Sequence, residues 1–279
     1  MSRYADLPSH LLCPRILVFD SGVGGLSVAQ EIQASLPGVA LIYASDNAAF
    51  PYGTKEEGEL IARVERVMAA LLASYPVDLV VVACNTASTL TLPHLRQRFN
   101  LPFVGVVPAI KPAAESSQSG VIGLLATPAT VARPYTHDLI TTHASDCTVI
   151  SLGSSELVLL AEQKLRGETI TDKAIAPITQ ALLDADGSRQ MDRLVLACTH
   201  FPLLREELGR NLPQRIQLID SGAAIARRVK HLLEAQQRLA RLPDTPEHIA
   251  VFTQETQEVH RLQSALAAYA IHKTAFITP

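Results

Sequence analysis

The chain has 279 residues, 48% hydrophobic and 18% charged, with a net charge of -3 and no low-complexity tract, which describes a compact globular protein with room for two ordinary domains. That balance excludes a generic nucleic-acid binder, and the longest apolar runs, 79–84 and 101–107, are far too short to cross a bilayer. The first fifteen residues mix Arg3, Asp6, His10 and Arg15 with short apolar pieces, so no signal-peptide core is expected and a cytoplasmic location follows.

Short apolar runs alternate with amphipathic stretches almost throughout, the pattern of parallel sheets covered by helices. The first run, Ile16 to Phe19, ends at Asp20-Ser21-Gly22-Val23-Gly24-Gly25. A second strand is expected at 39–44. Apolar residues at 60, 61, 64, 67, 68, 71 and 72 form a helical stripe, which Pro76 closes before the strand that carries Cys84. Further strands are expected at 102–107, 121–126, 147–152, 193–198, 215–219 and 248–253, with helices between most of them. A long helical pattern runs from Ala224 to Leu242.

The chain restarts at Gly120, where Val-Ile-Gly-Leu-Leu-Ala126-Thr127 resembles the opening strand and leads to a helix-start signal at Pro128. Cys84 lies 64 residues after Asp20, and Cys198 lies 71 after Thr127. These intervals predict an α/β protein of two pseudo-symmetric, doubly wound parallel-sheet domains, with the active site in the cleft between them. Residues 1–107 together with 221–279 form the first domain and 108–220 the second, with crossings near 108 and 220. Ligands of such sheets collect at the carboxyl ends of the strands. Asp20, Ser21, Cys84, Asn85, Thr199 and His200 all fall there.

One phrase is written twice, Asp78-Leu-Val-Val-Val-Ala-Cys84-Asn85-Thr86 and Asp192-Arg-Leu-Val-Leu-Ala-Cys198-Thr199-His200. A buried cysteine is by default a small hydrophobe, and Cys13 and Cys147 take that reading. Cys84 and Cys198 differ because each sits where a strand gives way to polar residues and a helix start, a setting that lowers a thiol pKa. No pair has Cys-x-x-Cys spacing, and neither motif has the partners of a zinc site, so neither a disulfide scaffold nor a metal is expected. Asp20 is either a helix cap or a group that tunes a thiol, and His200 either a core histidine or a proton-relay group.

The glycines of Gly22-Val-Gly24-Gly25-Leu-Ser27 approximate a dinucleotide fingerprint, with Asp46 about 20 residues on. The last small position is Ser27, however, and that reading leaves the paired cysteines unexplained. The alternative use of those glycines is to let backbone N–H groups approach a carboxylate. Pro51-Tyr52-Gly53 reads as a turn whose tyrosine could close over a ligand, and Glu156 occupies a helix start where an acid is favourable in any case.

Asp20-Ser21-Gly22-Val-Gly-Gly25, Ser45-Asp46-Asn47-Ala-Ala-Phe-Pro51-Tyr52-Gly53, Ala83-Cys84-Asn85-Thr86-Ala87-Ser88, Ala126-Thr127-Pro128-Ala-Thr130 and Ala197-Cys198-Thr199-His200-Phe-Pro202-Leu-Leu204 occur in this order. Together they resemble the glutamate racemase family of the aspartate/glutamate racemase superfamily, from about Ile16 to Arg228. The cysteine motifs alone would also admit aspartate or hydantoin racemases, whereas Asp-Ser-Gly-Val-Gly-Gly and Pro-Tyr-Gly point to the glutamate branch. The resemblance implies a cofactor-independent enzyme that supplies D-glutamate for peptidoglycan. It implies catalytic roles for Cys84 and Cys198, and substrate contacts from Asp20, Ser21, Tyr52, Gly53, Asn85, Thr86, Thr199 and His200. Asp46 and Glu156 match acidic residues with supporting roles, Glu156 being carried here among the catalytic group. Some members with an N-terminal extension are activated by UDP-N-acetylmuramoyl-L-alanine; the extension here is short. A homodimer is carried as a candidate assembly.

The chemistry agrees with that resemblance. Racemisation removes an α-proton from one face and returns one to the other, so two thiols, one ionised and one protonated, exchange roles with direction. The site must stabilise carbanionic charge and exclude water, and no Schiff-base lysine stands in the motifs. A nicotinamide-dependent oxidoreductase and a non-catalytic amino-acid-binding protein are the rival readings.

Overall fold

The structure, a computed structural model, describes residues 13–239 and 245–279. In chain order it runs β1 Arg15–Asp20, α1 Leu26–Ser35, β2 Ala40–Ser45, α2 Glu57–Ser74, β3 Leu79–Val82, α3 Asn85–Arg98 and β4 Phe103–Gly105. It continues with α4 Ile110–Ser116, β5 Val121–Ala126, α5 Pro128–Val131, α6 Pro134–His143, β6 Thr148–Gly153, α7 Glu156–Leu165 and α8 Asp172–Leu183. Then follow β7 Arg193–Leu196, α9 Arg205–Arg210, β8 Gln217–Ile219, α10 Gly222–Ala235, β9 His248–Phe252, α11 Gln257–Arg261, α12 Gln263–Ala268 and β10 Ile271–Phe276.

The strands form two all-parallel sheets, in the orders β10-β9-β2-β1-β3-β4 and β6-β5-β7-β8. Setting β9 and β10 aside, both follow one plan: the opening strand is flanked by the second and third, and the fourth lies outside the third. The expected strands fall in these sheets, and β10 is an addition that the sequence pattern did not give. The helical pattern from Ala224 belongs to α10, which stops at Ala235; its expected end, Leu242, lies outside the described residues.

Side-chain alternation explains why the sheets are covered on both faces. Ile16, Val18, Leu41, Tyr43 and Val81 face a core completed by Leu26, Ala29 and Ile32 of α1 and Ile225 and Val229 of α10. Leu17, Phe19, Ile42, Val80 and Val82 face the other way, onto Leu60, Val64 and Met68 of α2. The second sheet repeats this, with Leu125, Leu194 and Leu196 against α7 and α8 and with Ile122, Leu124 and Val195 against α4. The two crossings are tied together, since Ser221 Oγ donates to the Val107 carbonyl at 2.7 Å. Among the described residues no helix is long and apolar enough to cross a membrane.

Leu17 and Leu194 are both fully buried, one in each sheet. Replacing either by Ala should destabilise the protein by about 2–5 kcal/mol, read as a lowered denaturant midpoint by circular dichroism.

Candidate active site

The two cysteines occupy the same address in the two sheets. Phe19 pairs with Val82 and Leu125 with Leu196. One residue on, Ala83 N–H donates to the Phe19 carbonyl at 2.7 Å and Ala197 N–H to the Leu125 carbonyl at 2.8 Å. Cys84 and Cys198 follow, each 8% exposed. By the same register Asp20 of the first sheet corresponds to Ala126 of the second, Asp46 to Ser154, and Thr86 to His200. The backbone is duplicated and the charged side chains are not.

Around Cys84 the neighbours are a hydroxyl and an anion. Ser21 Oγ lies 3.9 Å from Cys84 Sγ. The Asp20 carboxylate is fully buried and accepts the N–H groups of Ser21 and Gly25, each at 2.7 Å; burial pushes its pKa up. Cys84 caps α3, as the sequence leads one to expect. The expected gain in acidity does not follow. Burial first and the Asp20 charge second push the Cys84 thiol well above the ordinary range, outweighing the Ala87 N–H that acts in the other direction.

Around Cys198 the neighbours are cationic. No α-helix starts directly after it; a 3-10 turn, Phe201–Leu204, intervenes before α9. The buried His200 ring places Nδ1 3.8 Å from Cys198 Sγ and Nε2 2.8 Å from Glu162 Oε1. Burial alone would neutralise the imidazole, but the hydrogen bonds and charges of Cys198 and Glu162 hold its pKa well above the usual value. Glu162 is held below its own range: burial opposes ionisation, and the His200 ring and the Val23 N–H, 2.9 Å away, overcome it. The pair is therefore an imidazolium and a carboxylate.

Glu156 stands apart from the cavity. It is exposed at the first position of α7 and does not line the cavity. The acid that the fold brings to His200 is Glu162, which the sequence reading did not single out. Its signal was the helical stripe Leu157, Val158, Ala161, Glu162, all buried. An acid inside an apolar stripe needs a partner.

The cleft wall opposite comes from the loop after β2. Tyr52 is 1% exposed and its hydroxyl donates to Asp46 Oδ2 at 2.6 Å, so the hydroxyl is engaged behind the wall. Asp46 does not line the cavity; it also accepts from Arg63 and from Thr253 Oγ1. Asn85 Nδ2 bridges the two motifs by donating to the Ala197 carbonyl at 2.9 Å, and its Oδ1 is buried without a hydrogen-bond partner.

These parts enclose a cavity of about 290 Å³, the scale of a small metabolite. Asp20, Ser21, Tyr52, Gly53, Cys84, Asn85, Thr86, Cys198, Thr199 and His200 all line it. Thr127, Thr130, Ser155 and Leu159 line it too, without having been named as site residues from sequence. No lysine or arginine is among the lining residues. Besides the His200 ring, the groups that can meet the anionic parts of a ligand are hydroxyls, the Asn85 amide and backbone N–H groups.

The glycine loop does approach carboxylates, but they are the protein's own. Gly25 N–H binds Asp20 and Val23 N–H binds Glu162. A Cβ at Gly22 would stand 2.3 Å from Glu162 Oε1, and one at Gly24 would stand 2.3 Å from His200 Nδ1. With Asp46 also engaged by Arg63, the features that suggested a dinucleotide fingerprint are all used internally.

The description Asp/Glu/Hydantoin racemase matches residues 21–229. The glutamate racemase of Pectobacterium atrosepticum is 56% identical over 229 residues, 82% of this chain and 79% of that protein. The crystal structure of Escherichia coli glutamate racemase with L-glutamate and the activator UDP-MurNAc-Ala superposes with a TM-score of 0.88 at 48% identity, covering 95% of this chain and 98% of that one. That of a Bacillus anthracis glutamate racemase isoform gives 0.80 at 27% identity, covering 95% and 97%.

Because a methyl group at Gly24 would meet both the His200 ring and its backbone N, Gly24→Ala should separate the imidazole from Glu162 and Cys198. The His200 resonance, followed by NMR, should then titrate at lower pH than in the wild-type protein. An unchanged titration would refute this account of the contact.

Proposed function

The chain belongs to the Asp/Glu/Hydantoin racemase family, and from that premise we propose that it interconverts L-glutamate and D-glutamate by proton transfer between two cysteines, without a cofactor. The observation that carries the reading is the equivalent placement of Cys84 and Cys198 at the ends of two parallel sheets, both lining one cavity. An NAD-dependent reading has no comparable support, since the glycine loop is filled by Glu162 and His200.

In one direction the Cys198 thiolate, facing the His200 imidazolium, takes the α-proton. The Cys84 thiol gives its proton to the opposite face of the carbanion. The cycle ends with Cys84 as thiolate and Cys198 as thiol, and the other enantiomer reverses every step. Burial and Asp20 make Cys84 a reluctant thiolate, so it is protonated at the outset. Ser21 Oγ, beside it, supplies a hydrogen bond when Cys84 carries the charge. Asn85, Thr86 and Thr199 hold the substrate, with Asn85 Oδ1 as a free acceptor for its ammonium group. Residues 1–107 with 221–279 and residues 108–220 act as the two closing domains, excluding water from the carbanion.

The L-glutamate bound to the Escherichia coli relative supports this substrate, and the activator in the same crystal supports UDP-MurNAc-Ala as an effector of this chain. We assign the D-glutamate to peptidoglycan synthesis in the cytoplasm. The direct test is incubation of the protein with L-glutamate in deuterium oxide, where D-glutamate should appear with deuterium at the α-carbon. Label-free inversion, or binding without exchange, would overturn the proposal.

Cys84→Ala and Cys198→Ala should each abolish interconversion while the circular dichroism spectrum stays that of the wild type; substantial racemisation by either excludes the two-thiol route. The rate should be bell-shaped in pH, because one thiol must be ionised and the other protonated. Asp20→Asn removes an anion that raises the Cys84 pKa. Its alkaline limb should therefore move to lower pH, whereas a limb that stays in place would deny Asp20 this influence.

A further inference from the structure

Asp46 is fully buried and accepts four hydrogen bonds. Oδ1 takes Arg63 Nη2 at 2.6 Å and Thr253 Oγ1 at 2.7 Å, and Oδ2 takes the Tyr52 hydroxyl at 2.6 Å and Arg63 Nε at 2.9 Å. One carboxylate thus joins the end of β2, the turn Tyr52–Thr54, α2 and the end of β9. Of the groups bonded to it, Arg63 is charged and Tyr52 titratable; Thr253 is neutral. Tyr52, Gly53 and Thr54 form a wall of the cavity, and Arg63 and Asp46 stand behind it.

A carboxylate at this depth would favour its protonated form without a cation. A protonated Asp46 would present an O–H in place of one acceptor, and the Tyr52 hydroxyl would lose a charged partner. Burial acts against ionisation, and the bidentate Arg63 guanidinium, with the Tyr52 and Thr253 hydroxyls, holds Asp46 below the usual carboxylate range. Arg63 is 19% exposed at the side chain, so it delivers its charge to a buried group without being buried itself.

We propose that Arg63 is a positioning residue of the reaction: by pairing with Asp46 through both carboxylate oxygens it fixes the Tyr52–Thr54 wall against which the substrate is held. Arg63 touches neither cysteine in any hydrogen bond or ion pair of the described residues, so its effect falls on substrate binding more than on proton transfer. The inference rests on glutamate racemisation as the activity, which deuterium incorporation by the wild-type protein establishes separately.

The test measures KM and kcat for L-glutamate across pH in Arg63→Met, Arg63→Lys and the double variant Arg63→Met/Asp46→Asn. With Arg63→Met, KM should rise about tenfold, the scale of one charge-assisted hydrogen bond, with kcat within about threefold. That rise should grow as the pH falls, because an unpaired Asp46 takes up a proton over a range where the wild-type residue stays ionised. Arg63→Lys, which restores the charge but not the two-pronged pairing, should remove the acid dependence of the rise and recover only part of the loss in KM. In the double variant, where no buried charge lacks a partner, the acid-dependent excess of KM over the wild-type value should vanish; this variant also serves if Arg63→Met does not fold.

A KM in Arg63→Met equal to that of the wild type overturns the proposal. So does a KM that is raised equally at every pH, which a packing defect alone would give, or an acid-dependent excess over the wild-type KM that persists in the double variant. A wild-type protein without deuterium exchange would instead refute the activity itself.

Discussion

A single carboxylate oxygen, Glu162 Oε1, connects the two halves of the site. It accepts the Val23 N–H from the loop after β1 and meets His200 Nε2 from the loop after β7. Glu162 itself stands on α7, packed in the core of the second sheet. The contact therefore crosses the cleft and fixes the imidazolium in the same stroke. Gly22 and Gly24 are required by it, since any side chain there would occupy the space of Glu162 or His200. Ser27 Oγ, bonded to the Thr199 carbonyl at 2.8 Å, and Asn85 Nδ2, bonded to the Ala197 carbonyl, make two further links. The glycine-rich loop is in this sense a joint between the halves.

Much of the fold was legible because parallel strands covered on both faces read as continuous apolar runs. Leu79–Val82 is buried at every position, as are Val121–Ala126 and Arg193–Leu196. Where that condition fails, legibility fails with it. β10 is an edge strand whose His272, Lys273 and Thr274 are exposed, so its sequence offers no apolar run even though it pairs with β9 along its length. β4 is shorter than the apolar stretch around it, because Val106 and Val107 leave the ladder toward the crossing to the second sheet. Repeat spacing, by contrast, identified the relation between the halves before any strand was paired.

The candidate site was legible where its residues stand next to one another in sequence. The two Ala-Cys phrases and Asp20-Ser21 each travel as a unit at a strand end, and the register of the sheets sets them around one cavity. Glu162, Arg63 and Thr253 were not legible, because each reaches its partner from a distant element: Glu162 is 38 residues from His200, Arg63 is 17 from Asp46, and Thr253 is 207 from Asp46. Glu156 drew attention only through the family resemblance, since its place at a helix start favours an acid in any case. Its helix points a different acid, six positions later, at the histidine. Proximity in sequence located the strand ends, while helix faces determined which acids served them.

The duplicated fold makes the site symmetric in the placement of its two sulfurs and asymmetric in its electrostatics. The proposed racemisation needs a proton-transfer group on each face of the substrate, and two copies of one strand-to-loop junction place Cys84 and Cys198 at matched burial. Two identical environments would leave both sulfurs with the same preference, and a reaction needing one thiol and one thiolate would start from a mixture of states. The second copy replaces Asp20 with Ala126 at the first strand end and Thr86 with His200 after the cysteine. Cys84 thus faces an anion that discourages ionisation, and Cys198 faces a cation. The difference cannot bias the final ratio of free enantiomers, which achiral water fixes at equality. In the proposed reaction it favours Cys84 as the thiol at the outset, and the backbone symmetry gives the geometry in which either direction can be completed.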